Sequence, residues 1–165
     1  MKNLSKKEII QKVIELLSEN VKILEGSLTG INDSINDAPG AMQSHSDTTR
    51  SQLTSVMNTA HKSFNEKIKE LEYLKEFSKK DLTEIRFKEA RIGVIVVLEK
   101  ENGAVENYFL LPGGSGIKLD YKGEKLVCIT PSSPLGKALI GKKKDENFLL
   151  NMGNISQKIK IVDLI

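Results

Sequence analysis

Ile10-Gln11-Lys12-Val13-Ile14-Glu15-Leu16-Leu17-Ser18-Glu19-Asn20-Val21-Lys22-Ile23-Leu24-Glu25-Gly26-Ser27-Leu28 opens a stretch that runs to Phe77 and decides how the chain is read. Ile10, Leu17, Leu24, Ile31 and Ala38 recur every seven residues. Ile14, Val21, Leu28, Ile35 and Met42 run beside them, offset by four. Two such series keep one apolar line facing a partner helix, which is the seam of a coiled coil. Leu53, Ala60, Lys67 and Leu74, with Met57, Phe64 and Leu71, supply a second, less regular seam. Ala38-Pro39-Gly40 lies between the two, and proline inside a helix removes a hydrogen bond and clashes with the preceding turn. The reading is an antiparallel helical hairpin with its turn between Asp37 and Asp47.

Ser5 and Glu8 have capping-box spacing and mark the start of the first helix. From there to Asp37 a helix is ~50 Å long, too long for a small core to cover, so it projects. Gly26 and Gly30 each weaken it by about 1 kcal/mol relative to alanine, and mark either a bend or a close crossing of the arms. Ser46 or Asp47 is a natural N-cap for the returning helix, read as Thr48 to Lys79. The exposed positions, such as Glu66-Lys67-Ile68-Lys69-Glu70, are of mixed charge and read as a solvated face.

Beyond the hairpin the period changes. Ile92 to Leu98 is β-branched and short, hence a strand, and Glu101-Asn102-Gly103 is a hairpin turn leading to a strand at Tyr108 to Leu111. Pro112-Gly113-Gly114-Ser115-Gly116 is a loop, without the strand-to-helix context and Lys-Ser/Thr ending of a phosphate-binding loop. Glu124 to Thr130 reads as a strand and Pro134 to Ile140 as a short helix with proline in its first turn. Phe148 to Met152, a turn at Gly153-Asn154, and Lys158 to Leu164 form a last hairpin. The fold class is α+β: an antiparallel coiled-coil hairpin over residues 1–80, then a small antiparallel β-sheet domain with one short helix over residues 81–165.

Composition excludes several functions. The chain has 165 residues, 39% of them hydrophobic, and no apolar run approaching the ~20 residues that span a bilayer. The N-terminus enters an amphipathic helix with no signal-peptide apolar block, and the single Cys128 cannot form an internal disulfide, so the cytoplasm is expected. A net charge of +3 is too small to imply nucleic-acid binding, and the sparse aromatics and absent tryptophan give no base-stacking platform. Lys142-Lys143-Lys144 is the densest basic run, read as solvated unless it meets an acidic partner. Cys128 reads as a buried small hydrophobe, and His45 and His61 as solvated histidines with no metal-ligand spacing around them.

Ile129-Thr130-Pro131-Ser132-Ser133-Pro134-Leu135-Gly136-Lys137-Ala138-Leu139-Ile140-Gly141-Lys142 resembles the signature of the Gre family of bacterial transcription elongation (transcript cleavage) factors. The match rests on Ser133-Pro134-Leu135-Gly136 and Leu139-Ile140-Gly141, and the preceding hairpin agrees. The resemblance implies an FKBP-like C-terminal domain that docks on RNA polymerase at its secondary channel, with Ser133 and Pro134 on the docking surface. It implies a hairpin whose tip carboxylates help hold Mg²⁺ at the polymerase active site, so that backtracked RNA is cleaved. On that expectation the chain is an accessory factor rather than an enzyme and holds no metal or cofactor of its own. It is a monomer with no membrane partner and no sequence-specific nucleic-acid contact.

The tip departs from the family pattern. Active members carry Asp-x-x-Glu before the second helix, and the best match here is Ser44-His45-Ser46-Asp47. Asp47 takes the glutamate position, Ser44 brings no charge to the other, and Asp37, with Asp33 behind it on the opposite arm, is the candidate replacement. Two versions follow, a cleavage stimulator and a channel-binding regulator without that activity. A prolyl isomerase is disfavoured by the few aromatics, and a coiled-coil interaction protein by the Lys67 break in the seam and the α+β half.

Overall fold

The computed structural model describes residues 5–37, 46–80, 87–121, 123–152 and 155–165. Helix α1 spans Lys6–Asp37 and α2 spans Ser46–Ser78. The capping box forms as its spacing requires: the Ser5 N–H donates to Glu8 Oε2 at 2.6 Å and the Glu8 N–H to Ser5 Oγ at 3.3 Å. The connection at 38–45, with Pro39-Gly40, Ser44 and His45, lies outside the described residues, as do Ala38 and Met42 of the first seam.

The seam is present where its period places it. Between Glu19 and Asp37, every described residue is exposed except Val21, Leu24, Leu28, Ile31 and Ile35. These are the heptad positions, and on α2 the seam residues Leu53, Met57, Ala60 and Phe64 are likewise partly buried. A Cβ added at Gly26 or Gly30 would meet nothing within 4 Å, so neither marks a close crossing of the arms.

Nearer the base α1 acquires a second apolar stripe. Ile9 and Val13 are buried beside Ile10, Ile14 and Leu17. With Leu74 and Phe77 of α2 they pack on Ile95, Phe109, Leu111, Tyr121, Leu126 and Cys128. The hairpin therefore rests its base on one face of the sheet and projects the remainder.

Among the described residues six strands form that sheet: β1 (Ile95–Lys100), β2 (Val105–Leu110), β3 (Lys118–Tyr121), β4 (Glu124–Ile129), β5 (Asn147–Met152) and β6 (Ile155–Leu164). Their spatial order is β3-β4-β2-β1-β6-β5. All neighbours are antiparallel except β2 and β4, which run parallel with Phe109 opposite Cys128. Strand β3 escapes the sequence reading because its four residues offer only Leu119 and Tyr121 as apolar signal. The first strand begins later than its β-branched run suggests, because Gly93 has a φ of 95° and the Val94 N–H turns back to the Arg91 carbonyl at 3.1 Å. Successive residues point to opposite faces, so Val96, Leu98, Leu110, Ile159 and Ile161 form a second core, covered by Leu139 of α3 (Pro134–Leu139) and by Ala90 and Val94. The Asn102-Gly103 turn forms as read, with Gly103 at a φ of 76°, whereas the Gly153-Asn154 turn lies outside the described residues.

Candidate functional site

At the far end of the hairpin, Asp33 and Asp37 stand four residues apart on α1, on one helix face, and both are exposed. Asp47 lies inside the first turn of α2, which starts at Ser46, two residues ahead of the expected start. The reading of Asp47 as a residue preceding the helix is corrected accordingly. Its side chain, and with it any separation from Asp37, lies outside the described residues. Among the described residues no three His, Cys, Asp or Glu side chains converge as a metal site.

In the sheet domain, with Leu139 packed in the core on the face away from the hairpin base, Ser133 and Pro134 open α3. The Ser133 hydroxyl donates to the Thr130 carbonyl at 2.8 Å and accepts from the Gly136 N–H at 3.0 Å, so it is the N-cap and both its roles are filled within the fold. The Thr130 hydroxyl lies 3.0 Å from that of Ser132. Pro134 is exposed at the first helical position, where its missing N–H removes nothing. The turn thus presents a rigid proline on the surface, held by polar groups beneath it.

The basic run is mostly paired. Lys142 Nζ reaches Glu146 at 3.5 Å and Lys144 Nζ reaches Asp163 at 3.0 Å. Cys128 is buried, and burial pushes its thiol up to about 12. His61 is exposed on α2, whereas His45 lies outside the described residues. The aromatic side chains do not line one pocket: Phe109 and Tyr121 are in the core beneath the hairpin, and Tyr108 and Phe148 lie on the other face. A groove of about 940 Å³ beside Tyr108 is bordered by Lys118, Asp120, Lys125 and Val127. The Tyr108 hydroxyl donates to Glu106, which also accepts from Lys100 at 2.5 Å.

The junction between hairpin and sheet has a polar centre that the sequence reading missed. Lys67, read as a break in the seam, donates to both oxygens of Glu70 at 3.0 and 3.1 Å. Glu70 Oε2 also accepts the N–H of Gly114 at 3.0 Å, tying α2 to the loop after β2. A Cβ on Gly113 would lie 2.5 Å from the Glu70 carbonyl oxygen, and one on Gly114 would lie 2.6 Å from Val13 Cγ1. The paired glycines let the loop fit against both arms. The available signal was the glycine density of residues 113–116, which fits close backbone approach as well as a plain loop.

A family model for the C-terminal domain of the transcription elongation factors GreA/GreB matches residues 86–165. No curated protein matches the sequence. Among solved structures the chain is similar to the transcription factor Gfh1, at 18% identity over 96% of this chain and 92% of that one, with a TM-score of 0.40. It is also similar to GreA factor homolog 1 of Thermus thermophilus (17% identity, 96% and 94% covered, TM-score 0.39). Gfh1 of Thermus aquaticus matches comparably (17% identity, 98% and 96% covered, TM-score 0.39). Among the described residues no helix is long and apolar enough to cross a membrane.

Proposed function

We propose, from the match of residues 86–165 to the C-terminal domain of the GreA/GreB transcription elongation factors, that the chain is a factor of this family that binds RNA polymerase at the secondary channel and directs its hairpin toward the active site. The observation that supports this reading is the free-standing arm. From Glu19 to Asp37 the described side chains of α1 bury nothing except the seam, so the distal hairpin is finished on its own and leaves the sheet domain free to dock. The exposed Pro134 turn is the docking element on this reading. The factor is accessory rather than enzymatic, works as a monomer in the cytoplasm, and contacts the polymerase rather than a specific nucleic-acid sequence.

The tip supplies carboxylates. Asp37 and Asp47 are the pair assigned to the polymerase Mg²⁺, and carboxylate oxygen suits a hard cation that keeps several of its waters. An ion held there would supply charge to the attacking and leaving oxygens of RNA hydrolysis. Asp37, at the end of α1, and Asp47, in the first turn of α2, flank the tip from its two sides. Ser44 at the expected acidic position favours the second version, a channel-binding regulator that does not stimulate cleavage, because a neutral hydroxyl adds no charge to the ion.

Stalled elongation complexes with labelled RNA decide between them. Cleavage stimulated by the wild type and lost in Asp47→Ala and Asp37→Ala establishes the stimulator. Retention on immobilised polymerase without stimulated cleavage establishes the regulator. Absence of both binding and cleavage overturns the proposal.

A further inference from the structure

We propose that Glu70 is a positioning residue, a carboxylate latch that sets the direction in which the hairpin leaves the sheet. The inference rests on the reading of the hairpin as a delivery arm, but the latch itself is a property of the free chain. The Glu70 carboxylate stands at the junction with one oxygen on the Gly114 N–H at 3.0 Å and both oxygens on Lys67 Nζ. Its side chain is 25% exposed and that of Lys67 is 31% exposed, so water screens the arrangement only in part. A hydrogen bond to an ionised acceptor is about twice as strong as a neutral one, and here it forms a polar tie between α2 and the loop after β2.

The surrounding contacts explain why a single latch sets an angle. The apolar base, with Ile9, Val13 and Leu74 on the sheet, is non-directional and tolerates small rotations of one surface on the other. Gly113 and Gly114 bring the loop against the α2 backbone and Val13, so the Gly114 N–H has a fixed place relative to both arms. Glu70 converts that place into a bearing. From Glu70 to Ser46 the arm is ~36 Å long at 1.5 Å per residue, so a tilt of ~10° at the latch moves the tip by ~6 Å. A displacement of ~1 Å is enough to lose a hundredfold in a positioned reaction. Lys67 gives up an apolar seam position to brace this carboxylate, which accounts for a lysine at that heptad position.

The test measures arm direction in the free protein. Spin labels at Asn36→Cys, near the end of α1, and Lys125→Cys, on β4, report the tip-to-sheet distance by double electron–electron resonance. Both sites are exposed. In Glu70→Ala the distance distribution is expected to broaden on the order of twofold, with helical circular dichroism retained. Glu70→Gln keeps an oxygen for the Gly114 N–H and is expected to restore most of the sharpness. A Glu70→Ala distribution superimposable on that of the parent overturns the proposal, as does equal broadening in Glu70→Gln. If Glu70→Ala is too unstable to label, Lys67→Met, which removes the brace alone, must also broaden the distribution, and no change there overturns it. A failed polymerase assay leaves this result unaffected, so the latch and the proposed function fail separately.

Discussion

Gly136 stands so close to the carbonyl of Thr130 that a Cβ added to it would lie 2.0 Å from that oxygen. The same carbonyl accepts the Ser133 hydroxyl, and the Gly136 N–H returns to Ser133 Oγ, so the first turn of α3 is closed on the end of β4. Gly136→Ala must push the helix away from the Thr130 backbone and is expected to destabilise the fold by about 2–3 kcal/mol. Ser133→Ala removes only the cap and is expected to cost about 1 kcal/mol. Urea unfolding of the two variants checks the order, and a Gly136→Ala effect smaller than that of Ser133→Ala contradicts it.

The seam separates two residues of the same arm. Leu28 is 7% exposed and Ile23 is 66% exposed. Leu28→Ala is expected to weaken the distal hairpin by about 2 kcal/mol, whereas Ile23→Ala changes it by less than about 0.5 kcal/mol. Gly26→Ala and Gly30→Ala, with open space at both positions, are expected to strengthen it by about 1 kcal/mol each. Amide hydrogen exchange along α1 reads these effects where they arise, since a projecting arm opens without unfolding the sheet.

The hairpin was legible because a heptad seam is a local pattern: each residue from Val21 to Ile35 that escapes solvent does so at a seam position. The docking of its base was legible in principle. Ile9, Val13 and Leu16 widen the narrow coiled-coil stripe into the broad one that a helix shows when it covers a sheet. The parallel pairing of β2 with β4 was not legible, because β3 folds β4 back beside β2 through contacts distant in sequence. Lys67 misled for the opposite reason. Its partner is one turn away, but the purpose of the pair lies at Gly114, 44 residues from Glu70. The Ser133–Pro134 turn was readable as a helix start, and the structure adds that its serine is wholly engaged in capping.

Glu106 predicts the acid limb of the stability curve. The hydrogen bond from Lys100 is the main cause holding its carboxyl below the ordinary 4.5, with the Tyr108 hydroxyl second and burial opposing both. A carboxyl held low in the fold contributes stability that is full above its unfolded value and is lost as pH falls through the folded one. The difference in stability between wild type and Glu106→Gln is therefore expected to be constant at neutral pH and to shrink below about pH 4.5. Tyr108 behaves in the opposite sense: burial, and then Glu106, raise its hydroxyl above 10.0, so its contribution is full below that pH and is lost above it. Chemical denaturation across pH checks both limbs, and a difference that grows toward acid contradicts the first.

Cys128 gives a direct measure of how tightly the hairpin base is seated. It faces the core that α1 and α2 cover, fully buried, and burial raises its thiol from 9.0 to about 12. The thiolate is the reactive form, so at pH 8 the folded protein is expected to react with Ellman's reagent at least about a hundredfold more slowly than the urea-unfolded chain. Raising the pH from 9 toward 12 removes the stabilisation that the neutral thiol provides, because the unfolded chain loses its proton first. Leu74→Ala, which opens the packing between α2 and the sheet, is expected to accelerate the reaction in the folded state, while Ile23→Ala on the free arm leaves it unchanged. Equal reactivity of folded and unfolded chains would show that the base is unseated from the sheet most of the time, contrary to the packing around Cys128.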